Sequence, residues 1–474
     1  MSNTSRPRFS SNPCDATQET SLKSPNFQVA ISQLIHHPEY NSTLILRSET
    51  GADVIDNFPS AVPRLDDLVP VQNIHRKLLA RRPTRDASLE QHCTLYATPL
   101  DPNPIVLVLT PIVPPGGQLP YYHPTVSHLA FRYIPATSRF QIDVVPLPEA
   151  PLDLNSRLYR TCLALLETLH RYGWGALTQY RKRVAHDCLV PRETYQDLYL
   201  TMRERHKHIV NEWQEVTDPL KHVFEDIGIA TFLMLLWRDT SDPNYTVPVL
   251  DCEPPSEEPW RKWPRPAGGF VDLGCGNGLL THILTSEGYQ GHGIDVRART
   301  SWSHYPPTTQ SQLHVSPLDP TSPTSPFLPP QSFLIGNHAD ELTPWLPLLS
   351  TLTRASGYLS IPCCAWSFDA RFDRARDTPL LSIDPVSLNL GGDGSYASSY
   401  SMYRIWLAAL SVHCGWEIEC EALRIPSTRN WALVGRKRTK ENDAVDSNIQ
   451  SILESVKQRG IFKTRRPEGK AGDH

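Results

Sequence analysis

The sequence predicts an α/β protein in which a seven-stranded, mostly parallel sheet follows an α+β region. Three observations carry this expectation. A short apolar strand, Phe270 to Leu273, enters a glycine turn at Gly274, Gly276 and Gly278, then an amphipathic helix and a second strand ending in Asp295. Strand and helix go on alternating as far as Cys364, which favours parallel pairing. Two last strands, Trp416 to Ile425 and Trp431 to Gly435, then read as an antiparallel pair that closes the sheet.

Taken in order, residues 1–24 are polar, rich in Ser, Pro and Asn, and predict disorder. Residues 25–215 read as the α+β region, a candidate RNA-contacting part. Its strands are Ile105 to Val113, Leu129 to Ile134 and Phe140 to Val145. Helical spacing appears at Leu158, Cys162, Leu165, Leu166 and Leu169, and a second helix runs from Arg192 to about Glu215. The sheet domain spans 216–437. Asp218 caps and Pro219 opens a helix reaching Trp237, and a Pro- and acid-rich linker follows from Asp239 to Gly268. Residues 316–330, rich in Pro, Ser and Thr, read as a surface insertion. Ser332 to Gly336 and Gly357 to Cys364 are the fourth and fifth strands, Trp345 to Ala355 lies between them as a helix, and Ser399 to His413 is another helix. Residues 438–474 read as a charged tail.

Bulk properties narrow the function classes. The net charge of -4 excludes a global basic field, so any nucleic acid must be held by local patches. Ten cysteines without a C-x-x-C pair suggest reduced thiols and no metal site, and the N-terminus lacks an apolar secretion segment. The longest apolar run, Ala230 to Trp237, is far short of a membrane span.

The glycine spacing selects a cofactor. A dinucleotide site needs G-x-G-x-x-G, whereas here the last glycine comes one residue early and Leu279 stands in its place. The pattern Asp-x-Gly-x-Gly-x-Gly from Asp272 is instead the turn that wraps the methionine and ribose of S-adenosylmethionine. That ligand needs close backbone approach and carboxylates for its ammonium and hydroxyl groups. The candidate cofactor residues are Asp272, Gly274, Gly276, Asn277, Gly278, Asp295 and Asn337. The domain is thus expected to be a class I, Rossmann-like methyltransferase fold.

After the fourth strand, Gly336-Asn-His-Ala-Asp-Glu341 faces the ligand crevice, where the carboxyl ends of strands gather. His338, Asp340 and Glu341 are the catalytic candidates, with Asp340 preferred as general base; a plain helix N-cap explains the same acids. Cys363-Cys364 offers either a nucleophile for base methylation or small packing residues. Arg171, Arg181, Lys182 and Arg183, interleaved with Tyr172, Trp174 and Tyr180, suit RNA, as do Arg424, Arg429 and Asn430. A solvated helix face and a capped turn produce the same compositions.

Several separated blocks together resemble the eukaryotic tRNA (uracil-2'-O-)-methyltransferases that modify uridine 44 of serine tRNA. They are His170 to Gly175 with Lys182-Arg-Val184, Val190 to Tyr199, Thr217 to Ala230, Phe270 to Gly278, Gly336 to Trp345, Ile361 to Cys364 and Arg424 to Asn430. The resemblance implies a cytoplasmic enzyme that moves a methyl from S-adenosylmethionine to a ribose 2'-oxygen of tRNA, without a membrane. It supplies no general base. The other classes kept open are a methyltransferase acting on an RNA base, a protein or a small molecule, and a non-catalytic binding protein of the same fold.

Overall fold

The computed structural model describes residues 23–56, 58–148, 150–180, 184–240, 258–322, 325–377, 382–390, 398–439, 443–460 and 463. They divide into two compact units, with the boundary between Arg181 and Lys182.

In the first unit, buried residues recur at helical spacing in α1 (Ser24–His36), through Phe27, Ala30, Ile31, Leu34 and Ile35. Six strands follow: β1 (Ile45–Val54), β2 (Val69–Ala80), β3 (Leu89–Thr98), β4 (Asp101–Ile112), β5 (Val126–Ile134) and β6 (Arg139–Pro146). Each pairs antiparallel with the next, giving one sheet in sequence order. Alternate residues such as Cys93 and Leu95, Leu107 and Leu109, and Leu129 and Phe131 face a core shared with α1 and α2 (Arg157–Leu177). Tyr96, Val106, Val108 and Ala130 pack on the other face with Val62, Leu65 and Leu68. A buried guanidinium closes the end of α1. Arg76 donates to the carbonyls of Leu34 and Ile35 at 2.8 and 2.7 Å and to Gln91 Oε1 at 3.0 Å. Those carbonyls belong to the last turn, where helical partners run out.

The second unit begins with α3 (Arg192–His206) and α4 (Pro219–Thr240). Strands β7 (Phe270–Leu273) and β8 (Gly291–Asp295) flank α5 (Leu279–Ser286). The chain continues through a short α6 (Pro307–Gln310), β9 (Leu313–Val315), β10 (Phe333–Asn337), α7 (Leu346–Leu352) and β11 (Gly357–Ile361). Then come α8 (Ser399–His413), β12 (Trp416–Ala422), β13 (Trp431–Arg438) and α9 (Asp443–Arg459). The sheet has seven strands in the order β12-β13-β11-β10-β7-β8-β9. Strands β11, β10, β7, β8 and β9 are parallel, and β13 runs against both β11 and β12. This is the expected closing pair with a reversed strand. One face carries α4 and α5, with Trp237 against Phe270, Tyr289 and Phe333; the other carries α7, α8 and α9.

Four expectations are corrected. The division falls after Arg181 and not at 215/216, because α3 is part of the second core, where Tyr195, Leu198 and Met202 pack with α4. A buried carboxylate fastens it there: Glu287 accepts from Arg205 Nε at 2.8 Å, His206 Nε2 at 2.7 Å and Trp260 Nε1 at 2.8 Å. The tail 438–474 is not merely a charged extension, since Val445, Ile449, Ile452, Leu453 and Val456 of α9 are buried against the sheet. Within the segment 316–330, residues 323 and 324 lie outside the described residues, and the stretch 325–330 is tied down, with Leu328 buried and His292 Nε2 2.9 Å from the Phe327 carbonyl. The helix read as Trp345 to Ala355 is shorter, Leu346–Leu352: the 3-10 segment Asp340–Trp345 precedes it, and beyond its end Arg354 takes a left-handed φ of 55°. Of the segment 1–24, all but the last two residues lie outside the described residues.

Candidate functional site

A cleft of about 370 Å³ opens at the carboxyl ends of β7, β8 and β10. Its size suits a small-molecule cofactor. The glycine turn forms one wall. Gly274, Gly276 and Gly278 have φ of 71°, 53° and 75°, the left-handed region that disfavours side chains. At Gly278 a Cβ would also lie 2.9 Å from Leu313, whereas beside Gly276 nothing comes within 4 Å, leaving open space for a ligand. Asp295 braces this turn, its Oδ2 accepting from the Gly276 amide at 2.9 Å and its Oδ1 from that of Arg297 at 3.2 Å. Trp302 Nε1 donates to the Gly276 carbonyl at 2.9 Å. Asn277 serves the helix start, Oδ1 accepting from Leu279 N at 2.9 Å.

Asp272 is 2% exposed. Thr281 donates to its Oδ2 at 3.1 Å, while Oδ1 is buried without a partner. Burial raises its pKa to about 7, against the Thr281 bond and with help from Asp295. A cofactor ammonium beside this acid favours its charged form. Affinity should therefore rise as pH climbs toward 7, then fall above about 8, where an α-amino group loses its proton. Calorimetric titration across pH checks this, and Asp272→Asn should flatten the rising limb.

At the end of β10 the cleft gains a second polar group, from α4. Asn337 Nδ2 donates to Asp226 Oδ1 at 3.2 Å, and its Oδ1 is buried without a partner. Burial, with Glu225 and Asp272 nearby, pushes the Asp226 carboxyl well above the usual carboxylate range. His338 adopts φ of 53°, a strained conformation of the kind that gathers at functional sites. Its Nε2 lies 3.0 Å from Glu225 Oε1, and the carboxylate is 5% exposed. Burial works against Glu225's charge, but His338, Ser427 and Lys221 outweigh it and hold its pKa below the ordinary value. Asp340 and Glu341 also line the cleft, and Asp340 Oδ1 accepts from the Cys363 thiol at 3.2 Å.

The cofactor and catalytic candidates other than Gly278 thus line one cleft, and Gly278 packs behind it against Leu313 and Trp302. Glu225 and Asp226 were missed, although two adjacent acids within the apolar run Val223 to Ala230 were the signal. The RNA set is divided between the two units. Arg424 is paired with Asp187, Nε to Oδ1 at 2.7 Å, and Asn430 Nδ2 donates to the Leu423 carbonyl at 2.8 Å within its own turn. Arg429 lies 4.0 Å from the Tyr400 ring centroid. Arg171 donates to Thr168 Oγ1 at 3.3 Å, while Arg181, Lys182 and Arg183 lie outside the described residues. Trp174 and Tyr180 are 46% and 69% exposed, as base stacking requires. Tyr172 instead donates to Asn41 Oδ1 at 2.9 Å. Past the break, Glu421 accepts from the amides of Asp187, Cys188 and Leu189, which fastens the chain that follows the basic stretch to β12.

An acid-flanked glycine turn on a seven-stranded sheet with one reversed strand, and a second polar cluster after β10, defines an S-adenosylmethionine-dependent methyltransferase. Comparison with known proteins agrees. Residues 189–253 and 262–320 match the family described as "Predicted AdoMet-dependent methyltransferase", and residues 12–183 match "TRM44-like, N-terminal bet v1-like domain". The chain is 35% identical to a tRNA (uracil-O(2)-)-methyltransferase of Schizosaccharomyces pombe, over 90% of this chain and 85% of the relative. Proteins of that name from Neurospora crassa and Saccharomyces cerevisiae are 32% and 30% identical, over 89% and 86% of this chain and 86% and 84% of their own lengths. The chain belongs to this methyltransferase family, and its methyl donor is S-adenosylmethionine. No solved structure matches it. The buried, partnerless oxygens of Asp272 and Asn337 and the space beside Gly276 fit that donor.

Proposed function

We propose that this protein methylates the ribose 2'-oxygen of uridine 44 in serine tRNA, in the cytoplasm, through a class I, Rossmann-like domain. The observation that carries the reading is the His338–Glu225 pair in the same cleft as the glycine turn, in a chain related along most of its length to tRNA (uracil-O(2)-)-methyltransferases. S-adenosylmethionine, once bound, supplies a methyl already activated by its sulfonium. The protein's remaining tasks are to hold the acceptor in line and to take its proton.

Among the three catalytic candidates, His338 fits the second task best. Its Nε2–H donates to Glu225, which fixes the ring and stabilises the imidazolium formed when the ring accepts the 2'-hydroxyl proton. The other ring nitrogen, Nδ1, is buried without a partner. Asp340 is exposed and takes the Cys363 thiol, and Glu341 stands in the first turn of the 3-10 segment. Ribose is favoured over base carbon because a C5 methylation needs a thiolate. Burial, then Asp340 and Cys364, push the Cys363 thiol well up, so it stays protonated at pH 7.

Trp174 and Tyr180 offer stacking faces, and Arg429 a cation, for the RNA. Unmodified serine tRNA transcripts test the position. Label from methyl-labelled S-adenosylmethionine should enter wild-type RNA and be lost when uridine 44 is replaced; label that persists would place the acceptor elsewhere. Arg429→Ala should raise KM for tRNA about ten-fold, the loss of roughly one charge-assisted contact, with cofactor affinity unchanged.

A further inference from the structure

A second set of side chains converges where β10 and β11 end. Asn337 and Ile361 are paired in register on these parallel neighbours, so the residues just beyond them emerge side by side. Asp340 leaves one strand and Cys363-Cys364 the other, and their carboxylate oxygen and two sulfurs all lie within 4.8 Å of one another. Cys363 already donates to Asp340 Oδ1 at 3.2 Å, and Asp340 is held at φ of 43°, a left-handed conformation strained for a non-glycine residue. No sequence spacing announces this set, because its donors come from two strand ends.

We propose that Asp340, Cys363 and Cys364 bind a thiophilic divalent cation of the zinc class, with one coordination position left open beside the cleft. Two sulfurs and one carboxylate suit zinc and disfavour magnesium or calcium, which take oxygen ligands. Three protein ligands with a free fourth position is the form of an open site, not a closed structural one. Without a cation, burial, then Asp340 and Cys364, push the Cys363 thiol up. Binding exchanges protons for the ion: each sulfur coordinates as a thiolate and releases its proton, and two thiolates with one carboxylate around a divalent ion leave one net negative charge. Positive charge stands close by. Tyr400 donates to the Pro362 carbonyl at 2.8 Å, and Arg429 and Arg404 lie 4.0 and 5.0 Å from its ring centroid. His338 and Glu225 are outside the ligand set, so the site stands independently of the reading of the acceptor.

The test is titration of the metal-free full chain with Co²⁺, followed by Zn²⁺. Expected are a thiolate-to-cobalt absorption band saturating at one ion per chain, its loss on adding Zn²⁺, and two protons released per ion in calorimetry across buffers. Cys364→Ser and Asp340→Asn should each weaken binding at least about ten-fold, since even outer contacts of metal ligands are worth that much. Circular dichroism spectra and urea-unfolding midpoints equal to those of the wild type would show that the variants fold. Absence of the band, or a band that survives Cys364→Ser, overturns the proposal.

Discussion

Glu225→Gln should lower kcat for methyl transfer by about a hundred- to ten-thousand-fold, the range for a positioned acid or base, while S-adenosylmethionine affinity changes only a few-fold. The glutamine keeps the shape of Glu225 but removes the charge that stabilises a protonated His338. His338→Ala should lose as much, and the double variant little more, because two groups acting as a unit are not additive. Asp340→Ala is the control, with wild type and variant both assayed after chelation of divalent cations so that loss of a bound ion does not enter the comparison. Were it to lose as much as His338→Ala at unchanged cofactor affinity, the proton would go to Asp340 instead. Rapid-quench single-turnover kinetics with saturating tRNA separates these outcomes from changes in binding.

Glu287→Ala is expected to destabilise the second unit by about 3–5 kcal/mol, the usual effect of removing one partner of a buried ion pair. Its side chain is 0% exposed and takes Arg205, His206 and Trp260, so truncation leaves the buried His206 and Trp260 donors without this acceptor, while Arg205 keeps Glu258. Burial alone would raise its pKa, but His206 and Arg205 hold it below the ordinary 4.5. A carboxylate depressed on folding contributes stability above its unfolded pKa and loses it as pH falls through the folded value. The difference between wild type and variant in urea unfolding should therefore be large at pH 7 and shrink below about pH 4.5. A constant difference across pH would mean that packing, not charge, is what Glu287 supplies.

These two acids show what sequence can and cannot display. The turn from Asp272 to Gly278 was legible because its chemistry is local: the positive φ values and the helix start lie within one short stretch. Strands such as Phe333–Asn337 and the helix Ser399–His413 were legible by their apolar runs. By contrast, β1, β2 and β3 escaped notice, since β1 is largely exposed and β2 and β3 interleave polar residues such as Gln72, Asn73, Gln91 and His92. Their partnership needs long-range pairing that no window contains. Glu225 and Asp226 were hidden for a similar reason. Their role exists only once α4 is laid across the sheet beside Asn337 and His338, more than a hundred residues away. The tail α9 could have been read, since its buried positions recur at helical spacing beneath the charges.

The central claim is that the acceptor is a ribose oxygen. Digesting labelled tRNA to nucleosides after reaction with methyl-labelled S-adenosylmethionine tests it most directly. All label should run as 2'-O-methyluridine; label on a base, or none on RNA, would contradict it.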